Sequence, residues 1–538
     1  MAFNEKDSQG SSCFSNSSGS SYHFLSEQEL EYMSLIQHQI QPYFPRFAAA
    51  LAEQSPLERE ESRCAVIDFT EPRQRQITSF TTAAELDLYL GESVPPPYET
   101  TSRPPRRRLF ILEDLPCNHI LALGSRLRIP PSYFAGHFED PASSSFNHRS
   151  PFQRHSLKHL RLRYATSNRV EVDAVAQASS SSGMGVFVFN TRVCRYLHTY
   201  NRNGLIYDEA RSHHALSFWS STVGDDGSWD AVLLVDPPPG EFVRCMTSRA
   251  LIPLRMRLKD EASMPKYFLN PEIDTLDQLP DDCSQWASAY SSPGYGSMFD
   301  DTLQSFHSPN VSINATHDPL SVVEIPRRLV ISTLMAYIRR RYINLVSIQK
   351  TEFRPHTMRH NYLASFSKSS YSSWSGDLFD FIVGSRAAIK EFALEMEDNA
   401  IALGVDSPNF AGPRWEVEGW RSIRDLTGVV EGTVEAFATG YLQYVTIQEA
   451  HVSNSTAQSL SRITVLTMLF IPLSTVASIF SMGGDFLPGQ NRSWIFWAVA
   501  LPILAILSYL YWYQRLARIW LGRKEQLLPL FEKKSPTT

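Results

Sequence analysis

The sequence predicts an α/β cytosolic domain, followed by a long α-helical stalk and two C-terminal transmembrane helices. Three observations carry this prediction. Short β-rich runs bounded by Gly, Asp and Pro fill residues 104–270. From about residue 322 the apolar period becomes helical and stays so over long stretches. Two charge-free apolar segments, 463–480 and 494–512, lie near the C-terminus. Each is near the length that crosses a hydrocarbon core of roughly 30 Å.

Residues 1–103 read as a largely disordered N-terminal region and linker. The opening "MAFNEKDSQGSSCFSNSSGSS" is Ser/Gly-rich, with no apolar signal core and no Arg-rich transit pattern. Leu30, Tyr32, Met33, Leu35, Ile36 and Ile40 suggest a helix within 26–52, and "SVPPPYETTSRPPRRR" closes the region as a linker. Within 104–270, "RLFILEDL" reads as a short buried strand and "NHILALGSRLRI" as a helix ending near Pro130. "GVFVFNTRVCRYLHTY", "HALSFWSSTV" and "WDAVLLVDPPPG" are further β-rich runs. Residues 271–318, rich in Asp, Ser, Pro and Tyr, read as a loop or insertion.

Residues 319–462 form the predicted helical region, with helical spacing over 322–350, 376–403 and 414–480. A helix from Trp415 to Phe480 would be on the order of 100 Å long at about 1.5 Å per residue. Such a stalk needs neighbours to bury its apolar stripe. The final segment ends in aromatics (Trp494, Trp497, Tyr509, Tyr511, Trp512), followed by Arg515, Arg518, Arg523 and Lys524. That is an aromatic belt and a positive-inside flank. It places the basic tail 514–538 and the N-terminus in the cytosol, with only a short loop outside. The plasma membrane is preferred over an organelle.

The net charge of −6 over 538 residues shows no concentrated basic face, so nucleic acid is not an expected partner. Cys13, Cys64, Cys117, Cys194, Cys245 and Cys283 lie far apart with no CxxC pair, as reduced thiols do. No P-loop, GxSxG elbow or dinucleotide fingerprint is present, which argues against an enzyme.

Two spans from one chain cannot enclose a water-filled path, so any pore requires oligomerisation. Thr467, Ser474, Ser478 and Ser481 are separated by seven, four and three residues and share one stripe of a helix. Leu460, Ile463 and Ile471 continue it. Hydroxyls can bond an ion's water shell and aliphatic rings can gate by dewetting. Close helix packing favours the same small polar residues, and spacing leaves both readings open. Other candidates are His356 and His360 at i, i+4 spacing, with solvated or core histidines as the ordinary reading. Asp377, Asp380, Glu391, Glu395, Glu397, Asp398, Glu431 and Glu435 are candidate regulatory cation ligands or a solvated face. Asn491 sits in a sequon too near the second span to be modified.

The run "SNSTAQSLSRITVLTMLFIPLSTVASIFSM" (453–482) resembles the stalk-to-pore segment of CorA-type divalent metal-ion transporters. Ser453, Asn454 and Thr456 resemble that family's Ser-Asn-x-Thr element. Phe470, Pro472, Leu473 and Ser474 match its Phe-x-Pro-Leu-Ser/Thr element. The soluble pieces "RRLFILEDL" and "SFWS…WDAVLLVDPP" resemble those of fungal CorA-like membrane proteins. The resemblance implies an oligomeric, pentameric channel or transporter for divalent cations, with Mg²⁺ or a related ion as cargo and no cofactor. It implies partners in further copies of the chain, the lipid bilayer and metal ions.

The family's pore mouth carries Gly-Met-Asn, whose Asn amides form a ring binding hydrated Mg²⁺. Here Ser481, Met482 and Gly483 stand in those places. Gly483 offers only backbone carbonyls, so the motif is degenerate and the metal ligands are not assigned. Asp485, two residues on, supplies either a carboxylate ring or part of a plain turn. The missing Asn keeps open a non-conducting CorA-derived scaffold or regulatory subunit, and a membrane-anchored enzyme is a more distant rival.

Overall fold

The computed structural model describes residues 25–53, 63–70, 76–92, 105–142, 159–172, 184–202, 205–238, 240, 242–246, 249–256, 297–307, 318–352, 370–408, 410, 412–481, 494–509 and 512–513. The chain divides into two compact units, Met1–Phe437 and Ala438–Thr538.

The first unit is built on a ten-stranded sheet. Its strands are β1 (Cys64–Asp68), β2 (Gln76–Phe80), β3 (Arg107–Glu113), β4 (His159–Val172), β5 (Met184–Phe189), β6 (Tyr196–Arg202), β7 (Leu205–Ser220), β8 (Trp229–Val235), β9 (Phe242–Cys245) and β10 (Leu251–Met256). The order is β2-β1-β3-β8-β7-β4-β10-β9-β5-β6, and β6 pairs again with β7. Six strands therefore close a ring of pairings through β7, while β8, β3, β1 and β2 continue outward as an open sheet. Among the described residues only β3–β8 is parallel; the other pairings are antiparallel.

Every residue of β3 and β8 is buried. Strands covered on both faces read as continuous apolar runs, as "RLFILE" and "AVLLV" do. One face packs under α1 (Glu27–Leu35), α2 (Pro45–Glu53), α3 (Ala83–Glu92), α4 (Cys117–Leu127) and α5 (Pro131–Phe138). There Phe110, Leu112, Val232 and Leu234 meet Tyr32, Ile36, Phe47, Leu86, Ile120 and Phe134 in one core. Ser26 and Glu29 close a capping box at the start of α1, with Ser26 N donating to Glu29 Oε2 at 2.7 Å. Helices α6 (Met298–His307), α7 (Glu324–Glu352) and α8 (Ser370–Leu403) also contact the sheet, α7 and α8 mainly on β4.

These elements correct the expected organisation. Residues 27–92, expected within a largely disordered stretch, hold three helices and two strands of the main sheet. The reading missed "CAVIDF", a short buried strand flanked by polar sequence. The helix expected within 26–52 is two helices, parted by a π-turn at Ile36–Ile40 and a turn before Pro45. The expected loop 271–318 contains α6, whose Asp300 accepts from Arg63 Nη1 at 2.6 Å while Arg63 also grips Glu113.

Strand β7 changes partners midway. Leu205–Ser212 pairs with β6 and Leu216–Ser220 with β8. In the gap, the Ala215 N–H donates to Asp236 Oδ2 at 2.9 Å, just past the end of β8. Arg195, fully buried, grips the same carboxylate with Nε and Nη2, the latter at 2.8 Å. Its Nη1 donates to the carbonyls of Glu139 and Cys194, both at 2.8 Å. His137 and His214 each place a ring nitrogen 3.3 Å from Asp236. Burial opposes the charge on Asp236, but Arg195 and the histidines hold its carboxyl well below the usual range. Burial pushes His137 below the ordinary imidazole value, so its ring is neutral near pH 7.

Candidate ion pathway

Helix α9 (Arg414–Ser481) is 68 residues long, about 100 Å at 1.5 Å per residue. By length and composition it can cross a membrane, and almost none of its apolar window is buried within the chain. Leu466, Met468, Phe470, Ile471 and Ile479 are all exposed, as they would be against lipid or other helices. A shorter apolar helix, α10 (Trp494–Tyr509), follows. Phe480 and Phe496 meet edge to face at 6.1 Å.

Every member of the expected stripe lies on α9. Leu460, Ile463, Thr467, Ile471, Ser474, Ser478 and Ser481 are all exposed. At 100° per residue they fall within an arc of about 80°. Three of the stripe's hydroxyls are not free rotors. Thr467 Oγ1 donates to Ile463 O at 2.6 Å, Ser474 Oγ to Ile471 O at 2.9 Å and Ser481 Oγ to Ser478 O at 2.9 Å. A hydroxyl whose proton is committed to the preceding turn presents only lone pairs outward. Such a stripe accepts hydrogen bonds from the water shell of a cation. Pro472, inside the helix, has no N–H to offer the carbonyl of Met468, which leaves that acceptor available as well.

Upstream, Thr456 Oγ1 donates to Val452 O at 2.9 Å on an exposed surface. Met482, Gly483 and Asp485 of the pore-mouth motif lie outside the described residues, as do His356, His360 and Asn491.

The acidic candidates within the described side chains are dispersed, and those of Asp377 and Asp380 lie outside them. Glu395 is buried 3.2 Å from His213, Asp398 takes a 2.8 Å bond from Arg163, and Glu435 pairs with Arg386. Asp398 and Glu435 are thus engaged by arginines of their own chain, and Glu395 by a histidine. Glu391, Glu397 and Glu431 are exposed. Among the described residues no group of three or more metal-ligating side chains gathers. Sequence reasoning missed Arg195, Asp236, His137 and His214, although an Asp at the end of the apolar run "VLLVD" was a visible signal. It also missed Arg327 and Glu416, a buried ion pair at the root of α9.

An α/β domain leads into a long helix whose apolar half is long enough to cross a membrane and is almost unburied within the chain. A family model, the CorA-like Mg²⁺ transporter protein, matches residues 421–515. Magnesium transporter ALR1 of Saccharomyces cerevisiae is 28% identical over 85 residues, covering 16% of this chain and 10% of that protein. The solved CorA magnesium transporter of Methanocaldococcus jannaschii superposes with a TM-score of 0.38 at 9% identity, covering 83% of this chain and 96% of that one. The chain thus resembles CorA-like Mg²⁺ transporters through its stalk and apolar C-terminal segment, a family of transporters and channels rather than enzymes.

Proposed function

We propose that this chain is a CorA-like transporter or channel for divalent metal cations, Mg²⁺ or a related ion. The pathway is lined by α9 in an oligomer, pentameric if it follows the family. The observation that carries this reading is the stripe from Leu460 to Ser481, lying inside the segment that matches the family model. It offers hydroxyl lone pairs at Thr467, Ser474, Ser478 and Ser481, and aliphatic side chains for a dewetting neck at Ile471, Ile463 and Leu460. Mg²⁺ dehydrates reluctantly, so a lining that bonds water rather than the bare ion suits it.

In this reading the spans are 463–480 and 494–512, and both termini lie in the cytosol. Divalent-cation uptake in cells lacking their own Mg²⁺ transporter tests it. Uptake above the empty-vector level, lowered several-fold by Thr467→Val with Ser478→Ala, is the expected result. Membrane-localised protein with no uptake overturns it and leaves a non-conducting scaffold.

A further inference from the structure

Strands β5, β9 and β10 carry a buried face and an exposed one. Side chains alternate across each strand. Phe187, Phe189, Val243 and Ile252 point inward and form a small core with Leu197 of β6. On the outer side the register sets Val188 beside Arg244, Arg244 beside Leu251 and Phe242 beside Pro253. There Phe242 and Leu251 are 46% and 54% exposed, and Met246, just past the end of β9, is 51% exposed. Scattered exposed apolar side chains are ordinary, but three gathered at one hairpin mark a contact surface.

This hairpin carries positive charge. Arg244 stands in the middle of the outer row, and Arg249 is exposed in the turn that joins β9 to β10. Neither bonds a carboxylate among the described residues, whereas Arg63, Arg108, Arg195 and Arg327 are each paired with one. The chain also holds a segment of matching chemistry. Residues 267–286, "YFLNPEIDTLDQLPDDCSQW", have five carboxylates, at Glu272, Asp274, Asp277, Asp281 and Asp282, and no Lys, Arg or His. Phe268, Ile273, Leu276, Leu279 and Trp286 are interspersed with them. The segment lies outside the described residues, and ten residues, 257–266, separate it from the end of β10. Ten residues reach up to about 33 Å. The six residues of β10 occupy about 20 Å, so the tether can bring the segment back over the hairpin.

We propose that residues 267–286 dock on the outer face of β5, β9 and β10 of their own chain, with apolar side chains against Phe242, Met246 and Leu251 and carboxylates toward Arg244 and Arg249. Apolar burial supplies the attraction, and the charge selects an acidic segment. The basic tail 514–538 has the wrong sign for this face. A short tether holds the segment at an effective concentration on the order of millimolar, so contacts too weak for a free peptide suffice. Salt weakens the charged part of the contact and leaves the apolar part. Docked in this way, the segment withholds the hairpin from further copies of the chain and from other proteins.

Site-specific photo-crosslinking of the full-length protein, in membranes of the expressing cell, tests this. A benzophenone amino acid in place of Leu251 should join residues 267–286 on irradiation, as mapped by mass spectrometry of the digested protein. The product should keep the mobility of a single chain on a denaturing gel. Arg244→Glu combined with Arg249→Glu should lower the yield several-fold without changing the thermal midpoint, because both side chains are exposed. Asp277→Asn with Asp281→Asn and Asp282→Asn, which leaves the sheet untouched, should lower it likewise. A product of two chains assigns the face to a second copy, and an adduct with lipid or another protein assigns it elsewhere. Either result, the absence of any product, or a yield indifferent to both sets of substitutions would overturn the docking. No ion flux enters the measurement, so its outcome is separate from that of the uptake assay.

Discussion

At single residues, the chain's most consequential charge is Asp236, which satisfies both the Ala215 N–H and the buried Arg195 guanidinium. Asp236→Asn would leave Arg195 without its counter-charge in a site closed to water. A loss of about 3–5 kcal/mol is expected, read as a lowered thermal midpoint of the solubilised protein. His137 sets a pH dependence whose sign is fixed by its depressed proton affinity. Unfolding frees this imidazole to take up a proton, so stability is full above the ordinary histidine value, about 6.5, and falls as pH drops below it. His137→Gln should flatten the thermal midpoint between about pH 5 and 6.5. In the proposed channel, Gly483→Asn would supply an amide ring at the mouth. It should raise Mg²⁺ uptake or its block by hexammine-type analogues, through several hydrogen bonds of about 0.5–1.5 kcal/mol each. Asp485→Asn should lower uptake at low salt and lose that effect at high salt. If neither change alters uptake, the conducting role of that segment is refuted.

At the scale of elements, the readable parts of the sequence were those whose burial is uniform. Strands β3 and β8 are covered on both faces and stood out as apolar runs. Helices α7, α8 and α9 stood out because helical spacing runs through 322–350, 376–403 and 414–480, most of the 29, 34 and 68 residues that they occupy. What was not legible depends on distant partners. Strands β1 and β2 are five residues each, and they join the sheet only through partners distant in sequence or short themselves, β1 through β3 and β2 through β1. The stripe of α9 was legible from spacing alone, but the inward commitment of its hydroxyl protons was not, since rotamers are not written in periodicity. The contact between α1 and α4 was equally hidden. A Cβ on Gly124 would stand 2.3 Å from the Tyr32 ring, whose hydroxyl donates to Ile129 O at 2.7 Å. Gly124→Ala should therefore displace α1 and cost about 1–3 kcal/mol, visible as a lower thermal midpoint.

At the scale of the whole molecule, the proposed pathway needs more helices than one chain supplies. Gently extracted protein should run as a ring-sized oligomer, most simply of five copies, and a strictly monomeric species would argue for the anchored-enzyme reading. Tags at Met1 and Thr538 should be reached only from the cytosol and a tag at Gly489 only from outside. Opposite sides for the two termini would exclude two spans. One feature of the first unit governs how freely such a chain can change. Because β7 pairs with β6 along its first half and with β8 along its second, while β4 pairs with residues 209–219 across both, the two halves share a single reading frame. Inserting one residue between them would turn every later side chain to the opposite face and carry the Ala215 N–H away from Asp236. A change of one residue in the length of β7 between Ser212 and Leu216 therefore disrupts one half or the other.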